Sequence, residues 1–150
     1  MNNRSSSIEA LTKALSKAHK DLNNFSVDKS GYNFKYLSLS AIYEKILPVL
    51  SQNGVALSST NNVFVRDGIP WVKVATTVYC GNEFITNEMS FPLIEATKKT
   101  DTDIMMLGST ISYLVRYNVQ TLLSISGSDK DAEAMHKESI EQDENKITLK

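Results

Sequence analysis

T-D-I-M-M-L-G-S-T-I-S-Y-L-V-R-Y-N-V-Q-T-L-L, running from Thr102 to Leu123, is the stretch on which the rest of the chain is organised. At about 100° per residue it places Ile104, Leu107, Gly108, Ile111, Leu114, Val115, Val119 and Leu122 on one side of a helix. Ser109, Ser112, Tyr113, Arg116, Tyr117 and Gln120 collect on the other. Thr102 is placed to cap the helix, with Asp101 and Asp103 near the positive end of its dipole. The apolar side is expected to be buried, with Gly108 allowing close approach to a sheet. The polar side shows two tyrosines one turn apart with an arginine beside them. Such a trio covers a flat polar ligand or a neighbouring subunit; an ordinary amphipathic helix with tyrosines at its edges has the same periodicity.

The residues themselves carry a resemblance. Gly108, Ser109, Ile111, Ser112, Tyr113, Arg116 and Tyr117 resemble the core motif of the Erf (essential recombination function) family, phage single-strand annealing proteins with a G-S-x-I-[ST]-Y-x-x-R-Y pattern. A second block is Phe34 to Ile42, followed by Pro48-Val49-Leu50 and Asn53-Gly54-Val55. It is similar to the family's opening segment and stands in the expected order. The resemblance covers roughly Phe25 to Ser126. Two positions depart from the pattern: Met105 stands where the family often has glutamine, and Val115 takes the first place of its Arg-Arg-Tyr.

Upstream of this helix, three strand-like runs follow one another: Val55–Val65, Ile69–Cys80 and Glu83–Phe91. The joints Arg66-Asp67-Gly68 and Gly81-Asn82 are short and glycine-bearing, so hairpins are expected. In the middle run Val72, Val74, Val78 and Cys80 alternate with Trp71, Lys73, Thr77 and Tyr79. The valine face is expected to lie under the Thr102–Leu123 helix. The Trp/Lys/Tyr face is left for solvent, a second subunit or stacked bases.

Nearer the N-terminus, Ser6 and Glu9 have capping-box spacing, and Ile8, Leu11, Leu15, Ala18 and Leu22 repeat at helical steps. Lys13, Lys17 and Lys20 fall on the far side, and His19 is read as a surface histidine. Gly31–Tyr36 reads as a short strand. A second helix begins at Ser38 or Ser40 and carries Leu39, Ile42, Tyr43, Ile46, Leu47 and Leu50; Pro48 predicts a kink or an early end, and Asn53-Gly54 a stop. The fold class is therefore α+β: an antiparallel three- to four-stranded meander packed by a long C-terminal helix, with N-terminal helices. Residues 1–24 are assigned to an N-terminal helix, 25–126 to the Erf-like domain, and 127–150 to a polar, disordered tail.

Composition narrows the function. With 150 residues, 41% hydrophobic and 22% charged, the chain has enough for one sizeable core. No apolar run is long enough for a membrane span, and the start lacks a signal-peptide core. Cys80, the one cysteine, sits in an apolar strand and reads as a buried thiol, which points to a reducing cytoplasm. Formal net charge is −1, an unpromising total for a nucleic-acid partner. The charge is unevenly spread, however: residues 127–150 hold seven acids and four lysines, leaving 12 basic and 10 acidic residues in the body. Phosphate binding thus requires local clustering.

Catalytic patterns are missing from the sequence. It has no G-x-x-x-x-G-K-[ST] loop for ATP, and His19 and His136 make no zinc-spaced cluster with Cys80. No enzyme, cofactor or metal is expected. An annealing protein needs little chemistry: cations for the sugar–phosphate backbone, aromatic faces for stacking, and repeated subunits for length. The candidate DNA-binding residues are Lys35, Tyr36, Lys73, Lys98, Lys99, Tyr113, Arg116 and Tyr117, with Trp71 a further aromatic. The resemblance implies ATP-independent pairing of complementary strands in phage recombination, by a ring or helical filament of copies. An exonuclease or a single-strand-binding protein is the companion it implies. The competing expectation is a non-catalytic oligomeric adaptor with weak or no DNA binding.

Overall fold

The structure, a computed structural model, describes residues 2–23, 38–93 and 103–125. The Gly31–Tyr36 strand, the Thr102 cap and residues 127–150 lie outside them. Among the described residues the order is α1 (Glu9–Asn23), α2 (Leu39–Gln52), β1 (Ala56–Arg66), β2 (Ile69–Cys80), β3 (Glu83–Pro92) and α3 (Asp103–Leu123). The strands form one antiparallel sheet in the order β1-β2-β3, and Arg4 adds a single bridge to Ile85 at the outer side of β3. The α+β meander expected from the sequence is present, with three strands.

Both hairpins are two-residue loops. Arg66 pairs with Ile69 across Asp67 and Gly68, whose φ values of 53° and 76° are those of a type I′ turn. Cys80 pairs with Glu83 across Gly81 and Asn82, and only Gly81 has positive φ, as in type II′. These turns match the right-handed twist of the strands they join, so the register follows from the turns.

Alternation along β2 separates two faces. Val72, Val74 and Val78 are fully buried and share one core with residues of all three helices. In α1 these are Leu11, Ala14, Leu15, Ala18 and Leu22; in α2, Ile42, Ile46 and Leu50; in α3, Leu114, Val115, Val119 and Leu123. The valine face thus lies under α3 as expected. On the other face, Trp71 and Lys73 are half-buried, Tyr79 is exposed, and Thr77 is buried with its hydroxyl 2.8 Å from that of Thr86. Cys80 is half-buried.

Helix ends explain several differences from the expected pattern. α1 is not closed by a Ser6–Glu9 box: Glu9 pairs with Lys13 at 2.7 Å. Instead the Glu83 carboxylate accepts from the Leu11 amide at 2.8 Å and from the Ser7 hydroxyl at 2.7 Å. These donors, the Leu11 amide foremost, hold the Glu83 pKa below its ordinary value. A strand residue thereby caps a helix far from it in sequence.

In α2 the Ser38 hydroxyl accepts from the Ala41 amide. The helix runs through Pro48 to Gln52 rather than ending early. Gly54, at φ 69°, donates to the Ser51 carbonyl and Val55 donates to Leu50, which is a Schellman closure. Leu47 is 43% exposed, because the side of α2 turned to the core carries Ile42, Ile46 and Leu50, flanked by the half-buried Leu39, Tyr43 and Val49. His19 is half-buried, and its Nε2 is buried without a hydrogen-bond partner among the described residues; it is not the surface histidine expected.

Candidate nucleic-acid interface

α3 changes character along its length. Its start is open, with Ile104 77% and Met105 57% exposed, and Leu107 is its first residue packed against the core. Gly108 is exposed, and a Cβ there would meet nothing within 4 Å. The expectation of close helix–sheet packing at Gly108 is therefore corrected, and Ile104 does not belong to the buried stripe. The second half is buried on more than one side. Asn118, fully buried, donates through Nδ2 to the Val74 carbonyl at 3.0 Å and accepts from Asn87 Nδ2 at 2.8 Å. This polar pin fixes the rotation of α3 on β2 and β3.

With that rotation set, Tyr113, Arg116 and Tyr117 come together. The rings of Tyr113 and Tyr117 are 4.5 Å apart and their hydroxyls 2.9 Å. The Arg116 guanidinium lies 5.0 Å from the Tyr113 ring and 5.4 Å from that of Tyr117. Each such contact is worth about 0.5–2 kcal/mol, more as water is excluded. Only 9% of Arg116 is exposed, against 43% of Tyr113. The arginine expected to reach solvent thus lies within the cluster, and a tyrosine forms its outer surface.

Lys73 lies elsewhere. It stands on the sheet face turned away from α3, 2.9 Å from Glu88, with 39% of its side chain exposed. A pair this exposed is worth about 0.2–1 kcal/mol, little enough for a phosphate to compete for the lysine. On the same face Phe64 pairs with Trp71 in register, their rings offset-stacked at 6.5 Å and 24°. Arg66 reaches over Trp71 at 5.7 Å.

Of the eight candidate residues, the structure gathers Tyr113, Arg116 and Tyr117 and sets Lys73 apart on the other side of the sheet. Lys35, Tyr36, Lys98 and Lys99 lie outside the described residues. Phe64, Arg66 and Asn118 are additions. The first two had a signal: a two-residue Asp67-Gly68 turn forces Phe64 opposite Trp71 and brings Arg66 beside it. Asn118 had only the oddity of an amide next to a valine in a helix.

The family model described as the ERF superfamily matches residues 5–150. The match extends beyond the Phe25–Ser126 stretch over which the resemblance was read and takes in α1. No curated protein and no solved structure matches the chain.

Proposed function

The chain belongs to the ERF superfamily, and on that premise we propose that it binds single-stranded DNA and anneals complementary strands without ATP, in phage homologous recombination. The family match carries the proposal, and the stretch that bears the resemblance, Gly108 to Tyr117, contains the aromatic–cationic cluster of α3. Annealing requires that the backbone of one strand be held while base edges stay free to test a second. A tyrosine surface backed by a buried guanidinium suits the first task. Stacking tolerates any base, and the positive charge beneath attracts phosphate without a base-specific contact. Lys35, Tyr36, Lys98 and Lys99 complete the proposed set, and Lys73 serves on the opposite face. Self-association supplies the length of strand that one domain cannot cover. The site is proposed to act in the cytoplasm without catalytic residues or a cofactor, with an exonuclease or a single-strand-binding protein as companion.

A second reading, an oligomeric adaptor with weak DNA binding, is favoured by specific observations. The net charge is −1, Lys73 is paired with Glu88, and Arg116 is nine-tenths covered. Salt titration of fluorescent oligo-dT binding separates the two. The annealing reading expects affinity to fall with salt, with a log–log slope reduced by about 0.7 for each phosphate-contacting lysine removed. Tyr113→Ala weakens binding by about 1–3 kcal/mol with the slope kept. Arg116→Ala does the most harm, since it removes the charge and the support of both rings. Absence of measurable binding at low salt favours the adaptor.

A further inference from the structure

Register assembles a line of side chains on the sheet face turned away from α3. Arg66, Phe64 and Asn62 of β1 share that face with their partners Ile69, Trp71 and Lys73 of β2, because residues directly opposite in an antiparallel pair lie on one face. The order along the sheet is therefore Arg66, then the Phe64–Trp71 pair, then Lys73: a cation, two stacked rings, a cation. Both cations reach water, with 67% of the Arg66 side chain and 39% of that of Lys73 exposed. From Arg66 to the level of Lys73 is four residues of strand, about 13 Å. A stacked single strand rises ~3.4 Å per nucleotide, so the line matches about four nucleotides.

Each member suits a polymer of phosphates and bases. The Arg66 guanidinium lies 5.7 Å from the centroid of the Trp71 ring. A long side chain is thus ordered before a ligand arrives, and its planar fork matches a phosphate. The acids beside the cations do not close the site. Asp67 is 3.7 Å from Arg66 and 91% exposed, and a pair so open to water holds its charges weakly. The Lys73 ammonium has three donors, so it can keep Glu88 at 2.9 Å while it takes a phosphate oxygen. Phe64 and Trp71, offset-stacked at 6.5 Å, are half-buried, which leaves ring surface for a base.

We propose that this track holds a second segment of single-stranded DNA, separate from the one assigned to the tyrosine–arginine cluster of α3. The sheet itself divides the two. Val72 and Val74, which alternate with Trp71 and Lys73, are buried in the core shared with the helices, so a short strand on one side does not reach the other. The two surfaces also differ in character. On α3 a tyrosine surface covers a guanidinium only 9% exposed, whereas here both cations meet solvent, which makes this track the more salt-sensitive of the two. Two segments held by each copy let one assembly carry both strands that are to be paired. The assignment rests on the DNA-binding reading above for its ligand and adds a site to it.

Trp71 is the one tryptophan of the chain, so its fluorescence reports on this face directly. The full chain is titrated at low salt with oligo-dT of about six nucleotides, within the range that one domain covers. A labelled copy of the same oligonucleotide follows total binding by anisotropy. The expected result is saturable quenching of Trp71, with two oligonucleotides bound per chain. Arg66→Ala combined with Lys73→Ala raises the quenching midpoint about tenfold and lowers its log–log salt slope by about 1.4, two contacts at about 0.7 each. Tyr113→Ala leaves the quenching midpoint where it was. Anisotropy that rises without quenching, a midpoint unmoved by the double variant, or one that moves only with Tyr113→Ala overturns the track and leaves the α3 site standing. Loss of self-association in the double variant at unchanged DNA affinity also overturns it, since the face is then a protein contact. No binding by either readout overturns the track and the DNA-binding reading together.

Discussion

Glu83 is the first residue of β3, yet its carboxylate serves α1 by taking the Leu11 amide and the Ser7 hydroxyl. Its pKa is depressed by those donors, so the ionised form is favoured by the folded state. The stabilisation is fully present above the ordinary glutamate pKa and is lost as pH falls through the depressed folded value. Glu83→Gln is expected to melt below the parent at neutral pH. The gap should close as the solution is made acid, which thermal melts across a pH series measure. Gly108 gives the opposite kind of prediction. It is helical, has no positive φ, and faces open space, so Gly108→Ala should stabilise the chain by about 0.5–1 kcal/mol in urea denaturation. A destabilised Gly108→Ala would restore the close packing that the structure denies. Neither role was readable from residue spacing: a cap donated by a distant strand leaves no local pattern, and a motif glycine carries no mark of what lies beside it.

At the scale of elements, the strands were the most legible part. Alternation and two glycine turns fix strand bounds to within a residue or so, and the valine face of β2 is visible in its own sequence. α3 was legible as a helix but only half as a stripe. Ile104 and Leu114 look alike in periodicity, yet one is 77% and the other 2% exposed, because contact of α3 with the described core begins only at Leu107 and reaches full burial only at Leu114. The reverse holds for Arg116, on the polar side of the expected helix yet only 9% exposed, and for Asn118, which carried no expectation and is fully buried: burial around the second half of α3 takes in polar positions that a two-sided helix would leave in water. Asn118 is the test of that burial. Asn118→Ala strips a partner from Asn87 and from the Val74 carbonyl, and is expected to cost about 1–3 kcal/mol in equilibrium unfolding. A cost near zero would mean that α3 is held on the sheet by its leucines and valines alone.

For the whole molecule, the helices occupy one face of the sheet and leave the other with Phe64, Trp71, Arg66 and Lys73 but no described cover. One aromatic–cationic surface therefore lies on the helical side and another on the bare side. None of the described helices is long and apolar enough to cross a membrane. Family membership was legible from two short blocks; the sidedness was not, since it depends on which strand faces receive helices. We propose that this arrangement anneals DNA without an energy source. The measurement that tests it most directly follows two complementary labelled oligonucleotides by energy transfer, with neither ATP nor magnesium added. The protein is expected to bring them together severalfold faster than they pair alone, with the gain lost at high salt and in Arg116→Ala. Pairing at the uncatalysed rate at every protein concentration that binds oligo-dT would contradict it.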